Sequence, residues 1–415
     1  MIVGNINKLK LFYLIFTGEL IFALPFHVNR FFRPSLLEEF QYTNYMIGIA
    51  FTTYGITALI CYFPGGYIAD KFNARKLLSL SLILTSIGGI LLLFYNNFYF
   101  LCFIYGYWGI TSILFCWSAL IKATKIVGGN RQGLSFGVLE AGRGLVAATL
   151  SSIAVIIFTS TFIKNINDNG FFVASSPLKA VITFYSITTF IASIIIWFYF
   201  KDESNTKSSI GLKVGFKKIK KFYKLIFFQS LIVLSAYSAY KGIDYYSQFF
   251  YEIMNYNKEK AASTMSNLSY LRPLCAIFAG LIADKISATK LSIYLFLALI
   301  IAFLYLGLIS TIFNLEILIM INIMISMAAV FALRGIYFCY LQETKIPTNV
   351  IGFSVGIISL IGFFPDVYIG PVFGYFLDTY SKVEAFNLCY IFLLILSLIG
   401  FYSALKLHYS KKKRN

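Results

Sequence analysis

Long apolar runs separated by short polar ones fill this 415-residue chain from about position 10 to position 407. A helix rises 1.5 Å per residue, so about 20 apolar residues cross a hydrocarbon core roughly 30 Å thick. Twelve runs meet that length: about 10–30, 45–69, 77–95, 98–121, 133–162, 178–200, 223–248, 260–283, 291–311, 315–341, 349–377 and 385–407. In lipid the backbone must satisfy its own polar groups, so runs this long predict helices. The most hydrophilic stretch, 201–222, has six runs before it and six after. The expected fold class is an all-α integral membrane protein with twelve transmembrane helices in two pseudo-symmetric six-helix bundles. Its parts are an N-terminal bundle over 1–200, a cytoplasmic basic linker over 201–222, and a C-terminal bundle with a basic cytoplasmic tail over 223–415.

Two features repeat. The stretch Gly65-Gly66-Tyr67-Ile68-Ala69-Asp70-Lys71-Phe72-Asn73-Ala74-Arg75-Lys76 sits between the second and third runs. A weaker copy, Gly280-Leu281-Ile282-Ala283-Asp284-Lys285 through Lys290, follows 214 positions later, again between two runs. The fifth run opens Gly133-Leu134-Ser135-Phe136-Gly137 and the eleventh Gly352-Phe353-Ser354-Val355-Gly356. Glycines four apart let neighbouring helices approach closely, and their matching places fit a duplicated bundle. The order Gly-x-x-x-Asp-Lys-x-x-x-Arg-Lys resembles the cytoplasmic loop signature of the major facilitator superfamily of transporters, with Asn73 and Ala74 at places where that signature has other residues. The resemblance implies a gating loop formed by Gly66, Asp70, Lys71 and Arg75, echoed by Asp284 and Lys285. Asp70 would cap a neighbouring helix and pair with bases across the gate; the plainer reading is that these bases only fix topology. Gly133 to Gly144 and Leu333 to Asp378 resemble a bacterial branch of the superfamily whose members are often labelled nitrate/nitrite or sugar-phosphate permeases by analogy. The nitrate-transporter glycine signature is not evident in the fifth and eleventh runs.

Composition agrees. Hydrophobic residues make up 59% of the chain and charged ones 13%, against roughly a quarter charged in soluble domains. The net charge of +18 falls mainly on one set of loops and tails, as the positive-inside rule requires. Its partner is then anionic lipid headgroups rather than nucleic acid. The basic linker and the Lys411-Lys412-Lys413-Arg414 tail place both termini in the cytoplasm of a multi-pass inner (plasma) membrane protein. The first run is expected to stay in the membrane rather than be cleaved as a signal. Six cysteines lie inside apolar runs with no Cys-x-x-Cys spacing and read as packing residues; two histidines, His27 and His408, are too few for a metal or haem site. No metal and no cofactor are expected, and a monomer is the default for this architecture.

The informative residues are charges inside the runs. Such a side chain costs at least ~2.5–3.5 kcal/mol at mid-bilayer and usually faces a wet cavity or a partner. Glu19 is in span 1, Glu140 and Arg143 in span 5, Lys241 and Asp244 in span 7, Arg272 in span 8, Arg334 in span 10 and Asp366 in span 11. Glu140 with Arg143 and Lys241 with Asp244 are opposite charges at i,i+3, on one helix face. Each pair reads either as a self-neutralising structural unit or as a cavity face that exchanges partners during transport. Arg272 and Arg334 have no opposite charge nearby on their own helices, so they look to Asp366, Asp244, Glu19 or a solute. A guanidinium fork suits carboxylate or phosphate oxygens. The substrate-binding set expected is Arg272, Arg334, Lys241, Arg143 and Tyr240, with Glu19, Glu140, Asp244 and Asp366 as coupling or cavity carboxylates. Glu19 or Asp366 is suited to carry a proton, as in a symporter. His27 and Arg30 read as interfacial, and Tyr237, Tyr240, Tyr245 and Tyr246 either line a polar site or anchor at the lipid interface.

These features favour a secondary transporter moving a small anionic or zwitterionic solute by alternating access. The alternative is a transport-dead receptor or sensor on the same fold. An enzyme would need clustered ligands or a nucleophile with its base, and an ATP-driven pump a Gly-rich phosphate loop; neither is visible.

Overall fold

The structure is a computed structural model in which residues 8–95, 97–128, 132–167, 176–200, 222–309, 315–336, 339–343 and 348–412 are described. Among these residues every regular element is a helix. Eleven helices are long and apolar enough to cross a membrane, and the bent pair Lys8–Leu20 and Ala23–Phe40 makes a twelfth span. The twelve apolar runs therefore correspond to twelve spans. The expected linker, 201–222, lies outside the described residues except for its last position.

Span 1 is the bent pair. Span 2 is Asn44–Lys71, span 3 Ala74–Phe94, span 5 Gln132–Asn167, span 6 Pro177–Tyr199, span 9 Ala288–Leu304, span 10 Glu316–Ile336 and span 12 Lys382–Lys412. Span 4 joins Phe98–Gly109 to Ser118–Gly128 through a π-helical stretch, Ile110–Trp117. Span 7 runs Tyr223–Gly242, passes a 3-10 turn at Ile243–Tyr245 and ends as Tyr246–Glu252. Span 8 is Lys258–Ser269 followed by Leu271–Ile286, and span 11 is Thr348–Gly362 followed by Pro365–Thr379.

Side chains at the polar boundaries start several helices. Thr43 accepts from Met46 N, Asn97 from Phe100 N, Ser176 from Lys179 N and Asn257 from Lys260 N, each satisfying a donor that the first helical turn leaves without a partner. Pro177 follows its cap at a position that needs no amide hydrogen. Span 1 bends by 42° where the π turn Ala23–His27 contains Pro25. It then continues to Phe40, beyond the expected end near residue 30, because Val28–Phe40 buries residues that look loop-like in sequence, such as Asn29, Arg30 and Arg33.

Contacts group the chain into two units. The first is Met1–Asn205 with Asp244–Tyr270 and Gly370–Asp378; the second is Thr206–Ile243, Leu271–Ile369 and Thr379–Asn415. The ends of spans 7, 8 and 11 that lie remote from the chain termini thus pack with the first six spans. The segment Tyr246–Glu252 packs on Val28–Phe40 and on Lys258–Ser269, which itself lies against span 5.

The glycine pairs behave differently from expectation. A Cβ built on Gly137 or on Gly356 meets no atom within 4 Å, so neither second glycine of the matched pairs sits at a close helix crossing. Close crossings lie elsewhere. Within the first unit, a Cβ on Gly48 would sit 2.4 Å from the Gly370 backbone, and one on Gly65 3.1 Å from the Ile113 and Leu114 carbonyls. Gly66, the first loop's second glycine, faces open space.

Candidate functional site

Five of the eight intramembrane charges lie where the spans are interrupted. Glu19 precedes the bend of span 1, Lys241 and Asp244 bracket the start of the 3-10 turn of span 7, Arg272 follows the break in span 8, and Asp366 follows the break in span 11. Interrupted helices leave backbone groups and side chains free to face a site, which is why transporters use them.

One cluster lies in the first six spans. Glu19 is 2% exposed, with His27 Nε2 3.1 Å from Oε1 and Arg143 Nε 3.1 Å from Oε2. Arg143 also donates through Nη1 to Glu140 Oε1 at 2.6 Å. Its guanidinium lies 5.4 Å from the ring of Phe22 and 5.8 Å from that of Trp117, within cation–π reach. The Tyr185 ring stands edge-on to His27. The expected i,i+3 pair of span 5 is thus present, and it is extended by an acid and an imidazole from span 1. His27 is buried rather than interfacial, because its ring is held in the polar pocket that Glu19 creates.

A second cluster lies in the second unit. Lys241 Nζ is 3.3 Å from Asp366 Oδ1, and Tyr237 donates its hydroxyl to both carboxylate oxygens at 3.2 and 3.1 Å. The Arg334 guanidinium lies over the Tyr240 ring, 3.7 Å from its centre. Arg272 is 5% exposed. Tyr237 and Tyr240 thus touch charged groups of this cluster, and Tyr246, in the first unit and 1% exposed, is interior rather than a lipid-interface anchor.

A third set joins segments of the first unit remote from the termini. Arg30 donates to Asp244 Oδ1 at 2.6 Å, so it too is buried rather than interfacial. Lys241 and Asp244, the expected i,i+3 pair, thus each have a partner on another span, Asp366 for Lys241 and Arg30 for Asp244. Arg33, 0% exposed, donates to Gln248 Oε1 at 2.8 Å, Asn29 Oδ1 at 2.5 Å and Asn44 Oδ1 at 3.0 Å, and lies over the Tyr245 ring. Lys258 reaches Glu38. Arg33 and Asp378 were absent from the sequence-derived set. The polar positions 27, 30 and 33, spaced three apart beside an apolar run, are the signal that marks the first of these as helical.

At the opposite end, Asp70 lies 3.9 Å from Lys122, which also donates to the Ala69 carbonyl. Lys71 lies over Tyr67 and Arg75 over Trp197. Asp284 and Lys285 are exposed, and the adjacent start of span 9 is capped by Glu343, which accepts from Ala288 N and from the Thr289 hydroxyl. No group of His, Cys, Asp and Glu suited to a metal occurs among the described residues.

A polytopic helical bundle with charges buried at broken spans is an arrangement that membrane transporters use. The family model described as the Major Facilitator Superfamily matches residues 15–365, and the chain belongs to that superfamily. Relatives in Escherichia coli (strain K12) include the inner membrane protein YqcE, 27% identical over 383 residues that cover 90% of this chain and 88% of that one. Inner membrane protein YihN is 26% identical over 396 residues with the same coverage of each chain. Among solved structures, the nucleoside transporter NupG matches with a TM-score of 0.67 at 13% identity, over 97% of this chain and 98% of that one. A bacterial homologue of the human lysosomal transporter Spinster, in an inward-facing and unoccupied conformation, matches with a TM-score of 0.68 at 12% identity, over 97% and 96%.

Proposed function

We propose that this chain is a secondary transporter for a small anionic or zwitterionic solute, such as an organic acid, an amino acid or a phosphorylated metabolite. The observation that carries the reading is a buried charged cluster in each half: Glu19–Arg143–Glu140 in one, and Lys241–Asp366 with Tyr237, Tyr240 and Arg334 in the other. Charges this costly in a membrane are kept where a polar solute must be held and released. A neutral nucleoside would not call for four intramembrane cations. Arg272 and Arg334 take the negative group of the solute, and Tyr240 holds Arg334 in place through its ring face. Glu19 or Asp366 carries a coupling proton as the two six-span halves, 1–200 and 223–415, alternate between their open sides. The termini and the basic linker face the cytoplasm, where anionic headgroups attract them. The protein works as a monomer.

The test has two stages. A thermal-shift screen of purified protein against amino acids, organic acids and phosphorylated sugars returns the solute, and vesicle uptake of that solute follows, with and without an imposed pH gradient. Arg272→Ala and Arg334→Ala are expected to abolish uptake while membrane levels stay intact; normal uptake in both removes the anion site. A ligand that binds in the screen but never crosses the vesicle membrane selects the receptor reading instead.

A further inference from the structure

Span 11 ends in Gly374-Tyr375-Phe376-Leu377-Asp378, the Gly-x-x-x-Asp order that also occurs at Gly66–Asp70, Gly280–Asp284 and Gly362–Asp366. It lies at the end of span 2 opposite to Asp70. Its carboxylate sits on the start of another helix. Asp378 Oδ1 accepts from Asn44 N at 3.0 Å and from Asn44 Nδ2 at 3.1 Å, and Oδ2 accepts from Tyr45 N at 2.7 Å. Thr43, the local cap, takes the next donor, Met46 N, at 3.2 Å. The first amides of span 2 are thus divided between a side chain of its own segment and an acid more than 330 positions away. A carboxylate also matches the positive end of the helix dipole.

The backbones meet at the same place. A Cβ on Gly374 would lie 2.6 Å from the Asn44 carbonyl oxygen and the Tyr45 Cα, and one on Gly370 2.8 Å from the Gly48 carbonyl oxygen. Gly370 and Gly374 are four apart, so one helix face allows main-chain contact along a full turn. The Arg33 guanidinium continues the network through Asn44 Oδ1, and Tyr245, packed on Phe373, lies beneath it.

From this geometry we propose that Asp378 is a positioning residue for transport. It is a latch that holds the ends of spans 7, 8 and 11 against spans 1 and 2 and is released in the other half of the cycle. Asp378 remains exposed to solvent. A wet carboxylate cap contributes on the order of 1 kcal/mol, enough to bias an equilibrium and small enough to break on each turnover. The glycines supply the fit, and the acid sets how long the segments stay together. The inference takes its place in a cycle from the transporter reading, but its test needs no solute, so the two fail separately.

Ser247 is 0% exposed, lies on the Tyr246–Glu252 segment and differs from cysteine by one atom. With the six native cysteines replaced, Ser247→Cys in purified protein reports opening through its rate of maleimide labelling. Asp378→Asn is expected to raise that rate about fivefold to tenfold, and Asp378→Glu to return it to within about twofold of the parent. Gly374→Ala should raise it as well, because its methyl has no room in the closed arrangement. Thr43→Ala removes a cap bond of similar strength from the same helix without touching span 11, and should leave the rate unchanged. A monodisperse elution profile is required of every variant. If Asp378→Asn labels at the parental rate, or if Thr43→Ala accelerates labelling as much, Asp378 is no latch. Should Asp378→Asn not be recovered folded, Gly374→Ala decides: a parental rate there overturns the proposal.

Discussion

The two buried charged clusters each set a carboxylate against a cation, and they do so with different residue types. Around Glu19 both carboxylate oxygens are taken by nitrogen donors at 3.1 Å, and Arg143 spends a further donor on Glu140. Around Asp366 the cation lies at 3.3 Å, a phenol spans the two oxygens, and the neighbouring guanidinium lies over an aromatic face. Charge-assisted bonds to a guanidinium are strong and directional, whereas an ammonium is a point charge that reorients on a flexible stem. The first cluster therefore fixes spans 1 and 5 to each other. The second joins an ammonium, a carboxylate and a phenol, groups that can reorient, and the solute site proposed above is expected to draw mainly on it.

Variants that remove one charge from each cluster should separate these roles. Arg143→Gln strips the common partner from two acids and leaves Glu19 buried; breaking such a pair costs ~3–5 kcal/mol. A large fall in thermal stability and folded yield is expected, and a loss under about 1 kcal/mol would mean that the first cluster is not structural. Asp366→Asn keeps an acceptor for Tyr237 and should cost less, about 1–3 kcal/mol in stability, while uptake of the solute found in the screen falls to background. Equal destabilisation by the two variants would erase the distinction. Tyr240→Leu removes the ring under Arg334, worth roughly 0.5–2 kcal/mol; the expected result is weaker solute binding with little change in stability, and Tyr240→Phe should restore it. Asp70→Asn, at an ion pair whose acid side chain is 53% exposed, should change stability by less than about 1 kcal/mol. A larger loss on thermal unfolding would give the loop a weight its geometry does not predict.

Much of the fold was legible in the sequence because a span advertises itself by length and apolarity alone. The twelve runs and the doubled Gly-x-x-x-Asp loops are local patterns, whereas the breaks inside spans 1, 7, 8 and 11 are not among the features read from it. Partners were legible only when they shared a helix. Glu140 with Arg143 was found by its i,i+3 spacing, whereas Asp244 with Arg30 and Lys241 with Asp366 join positions far apart in the chain, where periodicity is silent. His27 and Arg30 were assigned to the interface because span 1 was ended too soon; their burial follows from a helix that runs on to Phe40. In spans 5 and 11 the described members of the glycine pairs, Gly137 and Gly356, face open space, while Gly133 and Gly352 lie outside the residues whose surroundings are described. Small residues at regular spacing permit close packing but do not require it, and the backbones meet at Gly48 and Gly370 instead.

Arg30 and Asp244 are 214 positions apart, the same interval that separates Asp70 from Asp284 in the two loop copies. Were the two halves identical in sequence at this interval, both positions would carry the same residue, two arginines or two aspartates, and no ion bridge could form between them. The bridge therefore depends on the two copies differing at this one position, so each half carries a charge that only the other sequence completes.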